Sequence, residues 1–430
     1  MALTGRAVVL ALLCLFPVAL FPALATVAVV VVGLALLALA DALLATPVSD
    51  LVVSRTGAVS CRQGESASVD VSVHNRSSRP ARGVLRDAWV PSAGAEPRTQ
   101  TLAIAAGQRQ TYTTTLRPTR RGDRLPDRLT LRSVGPLGLA ARQGHHEVPW
   151  RLRVQPPFTS RKFLPEKLAR LRTLDGLVAA RTRGQGTEFD SLREYVVGDD
   201  VRSIDWRATA RKADVVVRTW RPERDRRVLL VLDTGRTSAG RVGDVPRLDA
   251  ALDAALLLAA LASRAGDHVD LLAIDREVRA AVEGAGRHDL LARLVDVMAG
   301  LEPALVETDG RRVVAEVLRR SRRRSLVVLF TSLDAAPLEE GLLPVLGSLT
   351  SRHTVLLVSV GDPRIAELAA GRGSVEAVYD AAAAERTRAE RRRVTTALRL
   401  RGVEVVDAPP ERFASAVADA YLSMKAAGRL

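Results

Sequence analysis

The sequence predicts an α/β protein in three parts: an N-terminal transmembrane helical hairpin, a small β-sandwich, and a Rossmann-like domain with a mainly parallel sheet. Three observations lead to this prediction. Residues 7–45 form a long apolar run, residues 50–157 alternate polar and apolar side chains, and strand patterns alternate with helix patterns from residue 227 onwards. At 430 residues, the chain is long enough for about three domains.

The composition is that of a folded protein. Hydrophobic residues make up 47% and charged residues 26%, which excludes a disordered, collagen-like or disulfide-scaffold chain. The net charge of +15 would suit a nucleic acid, but only four of the 63 basic residues are lysines, which indicates coding bias. Without a reader motif we expect no nucleic-acid partner. Cys14 and Cys61 lie in different parts of the chain, so no disulfide is expected.

The apolar run is too long for one membrane span. A span takes about 20 residues, so the run is divided into two crossings, Ala7–Phe21 and Ala23–Ala45, with Pro17 and Pro22 marking the turn. The alternative is a cleaved secretory signal that ends at Ala23-Leu24-Ala25, although the apolar residues that follow would still anchor the chain.

Two crossings place both ends of the hairpin on one side of the membrane. Arg6 precedes the hairpin, and Arg55 and Arg62 follow it, which favours the cytoplasmic side by the positive-inside rule. We therefore expect a multi-pass protein of the cell membrane whose soluble part is cytoplasmic. Its predicted divisions are a hairpin at 1–48, a β-sandwich-like domain at 49–157, a charged connector at 158–226 and an α/β domain at 227–430.

The second part reads as a set of short strands. Residues 68–73 alternate polar and apolar side chains, as a half-buried strand does, and turn-forming residues follow at once. Further strand patterns occur at intervals that are typical of a small β-sandwich. They cover residues 83–90, 99–104, 110–116, 128–133 and 151–154. The adjacent His145 and His146 point to opposite faces of a strand and predict no metal site.

The last part alternates strands with helices, which predicts a mainly parallel sheet covered on both faces. Ligands of such sheets bind at the carboxyl ends of the strands. The predicted strands cover 227–233, 268–275, 325–331, 353–359 and 403–407, with a short edge strand at 278–282. The predicted helices cover 248–265, 288–298, 310–320, 338–350, 363–370, 381–400 and 410–426, and one helix at 165–172 lies in the connector.

A dense group of charges precedes the first strand of this sheet. Residues 184–211 read GQGTEFDSLREYVVGDDVRSIDWRATAR. One interpretation is structural: the charges pair with each other and cap short turns around Gly198, while aromatic residues anchor the segment. The other is a partner-docking surface with a buried tryptophan and a polar rim. Its candidate residues are Glu188, Arg193, Tyr195, Asp199, Asp200, Asp205, Trp206 and Arg211. Catalysis by the acids at 199–205 ranks lowest, because the segment lacks His, Cys and a nucleophile with its base.

The second candidate site lies at the end of the first strand of the sheet. Asp233 is followed by a loop rich in hydroxyl groups, and an acid with such hydroxyls is able to present oxygen ligands to Mg²⁺. Thr237 belongs to that loop. Thr308 and Ser332 follow other predicted elements at the same edge of the sheet, so the predicted metal ligands are Asp233, Thr237, Thr308 and Ser332.

The motif at 184–211, the segment Gly135-Pro136-Leu137-Gly138-Leu139 and the hairpin together resemble the bacterial family catalogued as domain of unknown function number fifty-eight. The resemblance extends over essentially the whole chain. It implies two membrane spans, a β-sandwich-like region and a von Willebrand factor A-like domain.

In such A-like domains, a metal-ion-dependent adhesion site has the pattern Asp-x-Ser-x-Ser, a later Thr and a second Asp. The resemblance assigns the first Asp to Asp233, the last hydroxyl of the triplet to Thr237 and the later Thr to Thr308. The sequence departs from the pattern at Gly235 and at Ser332, where a Ser and an Asp are expected, and Asp334 comes two residues late. One carboxylate holds a hard cation weakly, so at most a weakly bound Mg²⁺ is expected and no other cofactor.

The leading hypothesis for function is a membrane-tethered, non-enzymatic scaffold whose A-like domain docks a protein partner. The resemblance implies that the partner is a MoxR-type AAA+ ATPase, by analogy of family alone. The alternative is a metal-dependent adhesion or receptor module that uses the degenerate site at Asp233. A hydrolase or transferase that uses the acids at 199–205 is the third hypothesis.

Overall fold

The structure is a computed structural model, and it describes residues 2–181, 188–211, 214–221 and 226–430. The side chains of residues 175–181, 188–190 and 219–221 are not described. The chain divides into two compact units, Met1–Pro157 and Phe158–Leu430. Each unit has its own hydrophobic core.

The first unit begins with a two-residue strand, β1 (Ala2–Leu3). An apolar helical segment follows, which contains α1 (Gly5–Leu13), α2 (Leu15–Leu20) and α3 (Leu24–Leu44). With 21 residues, α3 is about 30 Å long, which matches the hydrocarbon core of a bilayer. Among the described residues, α3 is the one helix that is long and apolar enough to cross a membrane. The predicted first crossing is a shorter apolar segment, and the finding therefore supports one span rather than the predicted two.

The break between the two apolar segments lies where the sequence predicts it. Phe21 ends α2, and helix resumes at Leu24, after Pro22. Pro17 is not part of the turn, because it lies inside α2, and an additional break separates α1 from α2 at Cys14.

The remainder of the first unit consists of strands in three sheets. One has the order β1-β11-β10-β5-β7, one β2-β4-β8-β6 and one β3-β12-β9. The strands are β2 (Leu51–Gly57), β3 (Ser60–Arg62), β4 (Ala67–Asn75), β5 (Ala81–Trp89), β6 (Ala95–Glu96), β7 (Thr99–Ile104), β8 (Arg109–Leu116), β9 (Gly122–Arg124), β10 (Pro126–Val134), β11 (Ala140–His146) and β12 (Leu152–Gln155).

The two larger sheets share one core. Val71 and Tyr112 from the β2-β4-β8-β6 sheet pack with Leu85, Leu102 and Leu131 from the other sheet, and all five side chains are buried. The burial pattern of β4 alternates along its nine residues, as period-two patterning requires. Two sheets that bury their inner faces against each other form a sandwich.

The second unit contains the remaining elements. The helices are α4 (Leu164–Arg181), α5 (Trp206–Thr209), α6 (Arg236–Ala239), α7 (Arg247–Arg264), α8 (Leu290–Ala299), α9 (Gly310–Arg320), α10 (Leu346–Thr350), α11 (Pro363–Ala369), α12 (Val375–Leu400) and α13 (Pro410–Ala426). The strands are β13 (Glu188–Glu194), β14 (Val216–Arg221), β15 (Arg227–Asp233), β16 (Arg241–Val242), β17 (Val245–Pro246), β18 (His268–Ile274), β19 (Val278–Val282), β20 (Leu326–Phe330), β21 (Thr354–Val360) and β22 (Glu404–Ala408).

Six of these strands form a sheet in the order β19-β18-β15-β20-β21-β22. All neighbours are parallel except β19, which pairs antiparallel with β18 at the edge. The predicted mainly parallel sheet is therefore confirmed. Numbered along the chain, its strands have the order 3-2-1-4-5-6 of doubly wound folds, and the order reverses between β15 and β20.

Both faces of this sheet are buried. Alternate residues of β15 belong to two separate cores: Leu230 and Leu232 pack with α7 and α13, and Leu229 and Val231 pack with α9 and α12. The first turns of α4 also join the core, because Leu171 packs with the α7 side, so the segment predicted as a connector is partly built into this unit. Strands that are buried on both faces have continuous apolar sequences, which β15, β20 and β21 show.

Candidate functional site

Asp233 ends the first strand of the sheet, at the point where the strand order reverses. Strand β15 carries Asp233, and the neighbouring β20 ends at Phe330, so the loops after both strands meet at one edge. In doubly wound sheets this switch point forms a crevice that binds ligands. The topology thus places the predicted site where such folds hold their ligands.

Four donors hold the carboxylate of Asp233. The N–H of Gly235 and the hydroxyl of Thr308 donate to Oδ1, at 2.8 and 2.5 Å. The hydroxyls of Thr331 and Thr237 donate to Oδ2, at 2.7 and 3.2 Å. Asp233 is only 8% exposed, so these bonds replace the water that a carboxylate would otherwise bind. A carboxylate has about four acceptor positions, and protein groups use as many here.

Gly235 is required by the position of Thr308. A Cβ atom at residue 235 would lie 2.2 Å from Thr308 Oγ1 and 2.9 Å from the carbonyl oxygen of Val306. The backbone of Gly235 has an ordinary φ of −75°, so space rather than conformation excludes a side chain. The hydroxyl of Thr308 thus lies where the side chain of the expected serine would begin.

The loop after β20 contacts Asp233 through a residue that the sequence did not single out. The predicted ligand was Ser332, but Thr331 makes the hydrogen bond to the carboxylate, while the Ser332 hydroxyl accepts the N–H of Asp334 at 3.2 Å. Ser332 is 5% exposed and lines the cavity beside Asp233. Thr331 directly follows β20, and a hydroxyl side chain at that position is the sequence signal that would have identified it.

Asp334 does not compensate for the missing second acid. Its Oδ2 lies 3.3 Å from Nη1 of Arg247, and its Oδ1 lies 3.9 Å from Nη1 of Arg391. Arg391 is anchored in turn by Asp407, at 2.7 Å. The carboxylate of Asp334 therefore contacts two arginines that are distant in sequence, and it does not line the cavity beside Asp233.

A neighbouring acid, Asp275, supports the loop after β15. It accepts the hydroxyl of Thr234 at 2.9 Å, the N–H of Arg276 at 2.6 Å and the side chain of Arg279 at 2.7 Å. Burial raises the pKa of Asp275, but the hydrogen bonds from Arg279 and these neighbours outweigh it and leave the pKa below its ordinary value. Asp275 is therefore a charged structural support for Thr234, beside the site.

A cavity of about 60 Å³ opens beside Asp233. Its floor is apolar and includes Val231, Ile274 and Leu338, and its polar wall carries the hydroxyls of Thr308 and Thr331. At its rim, Nη2 of Arg236 pairs with Oε1 of Glu307 at 2.9 Å, and both side chains are more than half exposed. The cavity is therefore small and mainly apolar, with a few polar groups fixed in its lining.

The donor set does not fit a tightly held divalent cation. It offers one carboxylate and three neutral hydroxyls, and both carboxylate oxygens are already engaged by protein donors. Nowhere in the described ranges do three His, Cys, Asp or Glu residues group as metal ligands. Hard cations depend on ligand charge, so these residues favour a site that is closed by its own hydrogen bonds.

The charged segment forms a two-stranded antiparallel sheet of β13 and β14. Asp199 accepts Nη2 of Arg193 at 2.6 Å and the N–H of Val196 at 3.0 Å, across the turn at Gly198, whose φ is +109°. These hydrogen bonds, chiefly the one from Arg193, lower the pKa of Asp199. Residues 184–187 of the motif lie outside the described residues.

The other two acids within residues 199–205, Asp200 and Asp205, cap short helices. Asp200 accepts the N–H of Arg202 at 3.0 Å, and Asp205 accepts the N–H groups of Arg207 and Ala208, both at 3.0 Å. Asp205 also accepts Nε of Arg218 at 2.8 Å, which is the main reason why its pKa is lowered. These contacts agree with the structural interpretation, in which the charges pair and cap turns, and they occupy the acids that a hydrolase would need.

Trp206 corrects one expectation. A docking anchor with a polar rim was predicted to have a buried tryptophan, but Trp206 is 66% exposed, because it begins the four-residue helix α5, which buries none of its residues. Tyr195 is half-buried, and its N–H donates to Val215 at 2.8 Å, while Arg211 is exposed. The side chain of Glu188 lies outside the described part of the chain.

Two sets of known proteins are similar to this chain. Uncharacterized proteins of Mycobacterium tuberculosis and Mycobacterium bovis are 28% identical over 230 residues, which cover 50% of this chain and 72% of each relative. Among solved structures, the CARDB domain of the PF1109 protein from Pyrococcus furiosus aligns at a TM-score of 0.19 and 16% identity, over 24% of this chain and 92% of that one. An exo β-N-acetylglucosaminidase from Vibrio harveyi aligns at a TM-score of 0.18 and 10% identity, over 84% of this chain and 82% of that one. These TM-scores are too low to indicate a common fold.

The family match covers the Asp233 site and most of the charged segment. It extends from residue 191 to residue 403 and leaves out the apolar helices and the sandwich, to which the expected resemblance extended. All the hydrogen-bonding partners of Asp233 lie within the matched range, whereas the first three residues of β13, including the candidate Glu188, lie before it. Residues 191–403 of this chain therefore match the family described as "Protein of unknown function DUF58".

Proposed function

We propose that the chain is a membrane-anchored, non-enzymatic scaffold whose second unit is a von Willebrand factor A-like domain that docks a protein partner. The proposed partner is a MoxR-type AAA+ ATPase, as the family resemblance implies. Three features of the structure support this proposal: the topology of the sheet, the attachment of the apolar helices and the saturated carboxylate of Asp233.

The topology supports the A-like assignment. The strand order is 3-2-1-4-5-6, the third strand is antiparallel at the edge, and an acid ends the first strand. Hydroxyl side chains from three separate loops converge on that acid, through Thr237, Thr308 and Thr331. This arrangement resembles the layout of an adhesion site in which the first acid, Asp233, is kept and a neutral hydroxyl stands in for the second acid.

The attachment of the apolar helices supports a membrane hairpin. Before α1, Thr4 donates its N–H to the carbonyl of Leu139 at 3.0 Å. Near the end of α3, Asp41 is fully buried and accepts the N–H groups of Leu137, Leu139 and Ala140 at 2.7 to 2.8 Å. Both ends of the apolar segment thus bind one loop of the sandwich, so the segment leaves and returns at the same place.

The single observation that carries the docking function is the saturation of Asp233. Four protein donors occupy its carboxylate, so no free acceptor remains to take a proton from a substrate. The cavity beside it nevertheless remains open at the switch point, with an exposed ion pair at its rim. A rigid, open and chemically satisfied crevice is suited to receive a side chain of a partner.

The test uses the full chain in lipid nanodiscs and a purified MoxR-type ATPase from the same genome, with binding measured by biolayer interferometry. Arg236→Glu places like charges at the rim of the cavity and is expected to weaken binding about tenfold or more. The control is Arg386→Glu on α12, a charge reversal at another exposed arginine that pairs with a glutamate. Absence of binding by the unaltered chain, or an equal effect of both variants, would contradict the proposal.

The adhesion alternative requires a cation at Asp233. The converging hydroxyls of Thr237, Thr308 and Thr331 favour it, and the lone carboxylate disfavours it. Its direct test is a calorimetric measurement of metal binding.

A further inference from the structure

A second cavity lies at the opposite edge of the same sheet, where the strands begin. Its volume is about 250 Å³, and Arg226, Arg227 and Arg324 line it together with Asp267 and Ser325. Strand β15 runs from Arg227 at this edge to Asp233 at the other. Seven residues of strand separate the two ends by about 20 Å, so this cavity is distinct from the site at Asp233.

The register of the sheet brings the three arginines together. Strands β15 and β20 are parallel neighbours, with Val228 paired to Leu326. Arg226 and Arg324 each precede one member of this pair by two residues, and Arg227 is the first residue of β15. The three arginines that line the cavity therefore come from two adjacent chain segments.

The acid in the wall does not neutralise these arginines. Asp267 is 4% exposed and accepts Nζ of Lys425 at 3.0 Å and the hydroxyl of Tyr421 at 2.5 Å. Its charge is therefore balanced by a buried lysine. Arg226, Arg227 and Arg324 form no ion pair with any other described residue, so no described acid offsets their positive charge.

The other arginines close to Arg324 in sequence do not line the cavity. The helix end and loop at 319–324 contain five arginines, of which Arg319 pairs with Glu316, and Arg320 pairs with Glu283 and Glu316. Arg322 is exposed and does not line the cavity. Arg324 is therefore the arginine of this run that a ligand in the cavity would contact, and Arg322 is an exposed arginine outside it.

We propose that this cavity binds a phosphate group. Guanidinium groups present paired N–H donors that match the oxygens of phosphate, and a phosphate with several oxygens is able to engage more than one arginine at once. A carboxylate has two oxygens and satisfies fewer of these donors. The volume admits a phosphate with part of the molecule that carries it. That molecule is either an anionic lipid, whose headgroup phosphate is not balanced by a cation as it is in phosphatidylcholine, or a soluble phosphorylated compound.

The experiment measures binding of inorganic pyrophosphate by calorimetry to the full chain in phosphatidylcholine nanodiscs, at about 0.15 M salt to screen distant charges. Arg324→Ala and Arg226→Ala are each expected to weaken binding at least tenfold. Arg324→Lys keeps the charge but loses the paired donors, so an intermediate loss is expected. Arg322→Ala is the matched control, and its affinity is expected to equal that of the unaltered chain.

Two results would overturn the proposal: no saturable binding by the unaltered chain up to about 1 mM, or an equal loss in Arg322→Ala and Arg324→Ala. Thermal unfolding of each variant shows whether the fold is kept. The same titration in nanodiscs that contain phosphatidylglycerol distinguishes the two sources. A tenfold or greater loss of pyrophosphate affinity there would show that a lipid headgroup occupies the cavity, and an unchanged affinity would assign it to a soluble phosphorylated compound.

Discussion

Gly235 and Thr308 show how one residue sets the chemistry of another. With glycine at 235, the hydroxyl of Thr308 reaches Asp233 at 2.5 Å and occupies the space of the missing side chain. The two departures from the adhesion pattern are therefore different in kind. Gly235 is compensated by Thr308, whereas the second acid is replaced by Thr331, a neutral donor.

A double-mutant cycle tests this compensation. Gly235→Ala is expected to lower the free energy of unfolding by about 2 kcal/mol, because the new Cβ displaces Thr308 from Asp233. Thr308→Ala alone is expected to cost about 1 kcal/mol, for one hydrogen bond. In the double variant the costs overlap, which gives a coupling of about 1 kcal/mol in chemical denaturation of the full chain. Strictly additive costs would show that the two residues do not compete for one space.

A second prediction concerns the binding of divalent metal ions at Asp233. Calorimetry of the full chain with Mg²⁺ or Mn²⁺ is expected to show no saturable binding up to about 1 mM, because one carboxylate supplies too little charge. Asp233→Ala provides the control and is expected to give the same trace. Micromolar binding that disappears in Asp233→Ala would instead make the adhesion module the leading function.

At the scale of single elements, β21 is preceded by a histidine in an unusual environment. His353 is 4% exposed, and neither ring nitrogen has a hydrogen-bond partner within the described residues. Burial, with a smaller contribution from the charge of Arg352, lowers the pKa of His353 below its ordinary value. The folded protein therefore keeps this ring neutral at a pH at which the unfolded chain already binds a proton.

This environment predicts a pH dependence of stability. A depressed pKa in the folded state gives a contribution that is complete above about pH 6.5, the ordinary value for histidine, and that is lost as the pH falls towards the folded value. His353→Leu removes the titrating group and is expected to flatten the decrease of the unfolding midpoint between pH 6.5 and 5. His288→Leu, at an exposed loop position, serves as the control. An unchanged slope in His353→Leu would contradict the prediction.

The elements of the sheet were largely predictable, and parts of the site were not. Strands such as β15 are continuous apolar runs that periodicity identifies, whereas α12 begins at Val375, six residues before its predicted start. Its true beginning is set by a cap, since Ser374 accepts the N–H of Ala377. The orientation of Asp334 depends on Arg247 and Arg391, which are far away in sequence, so local pattern could not reveal it.

For the whole molecule, the membrane topology is the main open prediction. In a background without Cys14 and Cys61, single cysteines at Ala2, Phe21 and Ser66 report the side of the membrane on which each residue lies. A hairpin with a cytoplasmic sandwich predicts that an impermeant maleimide labels Phe21→Cys in intact cells. Ala2→Cys and Ser66→Cys are expected to react only after lysis.

Other labelling patterns would identify other topologies. Labelling of Ser66→Cys in intact cells would place the sandwich outside. Labelling of Ala2→Cys without Ser66→Cys would show that α3 alone crosses the membrane, consistent with its being the one sufficiently long helix among the described residues.

The short strand β1 has a consequence for solubility. Ala2 and Leu3 pair with Ala141 and Ala140, so the beginning of the chain covers part of β11, which would otherwise be a free border of its sheet. Free borders of sheets recruit strands from other molecules. If a signal peptidase cut the chain after Ala25, β1 would be lost together with the first apolar segment. The shortened protein would then be prone to self-association through β11, and the intact beginning of the chain protects it from this.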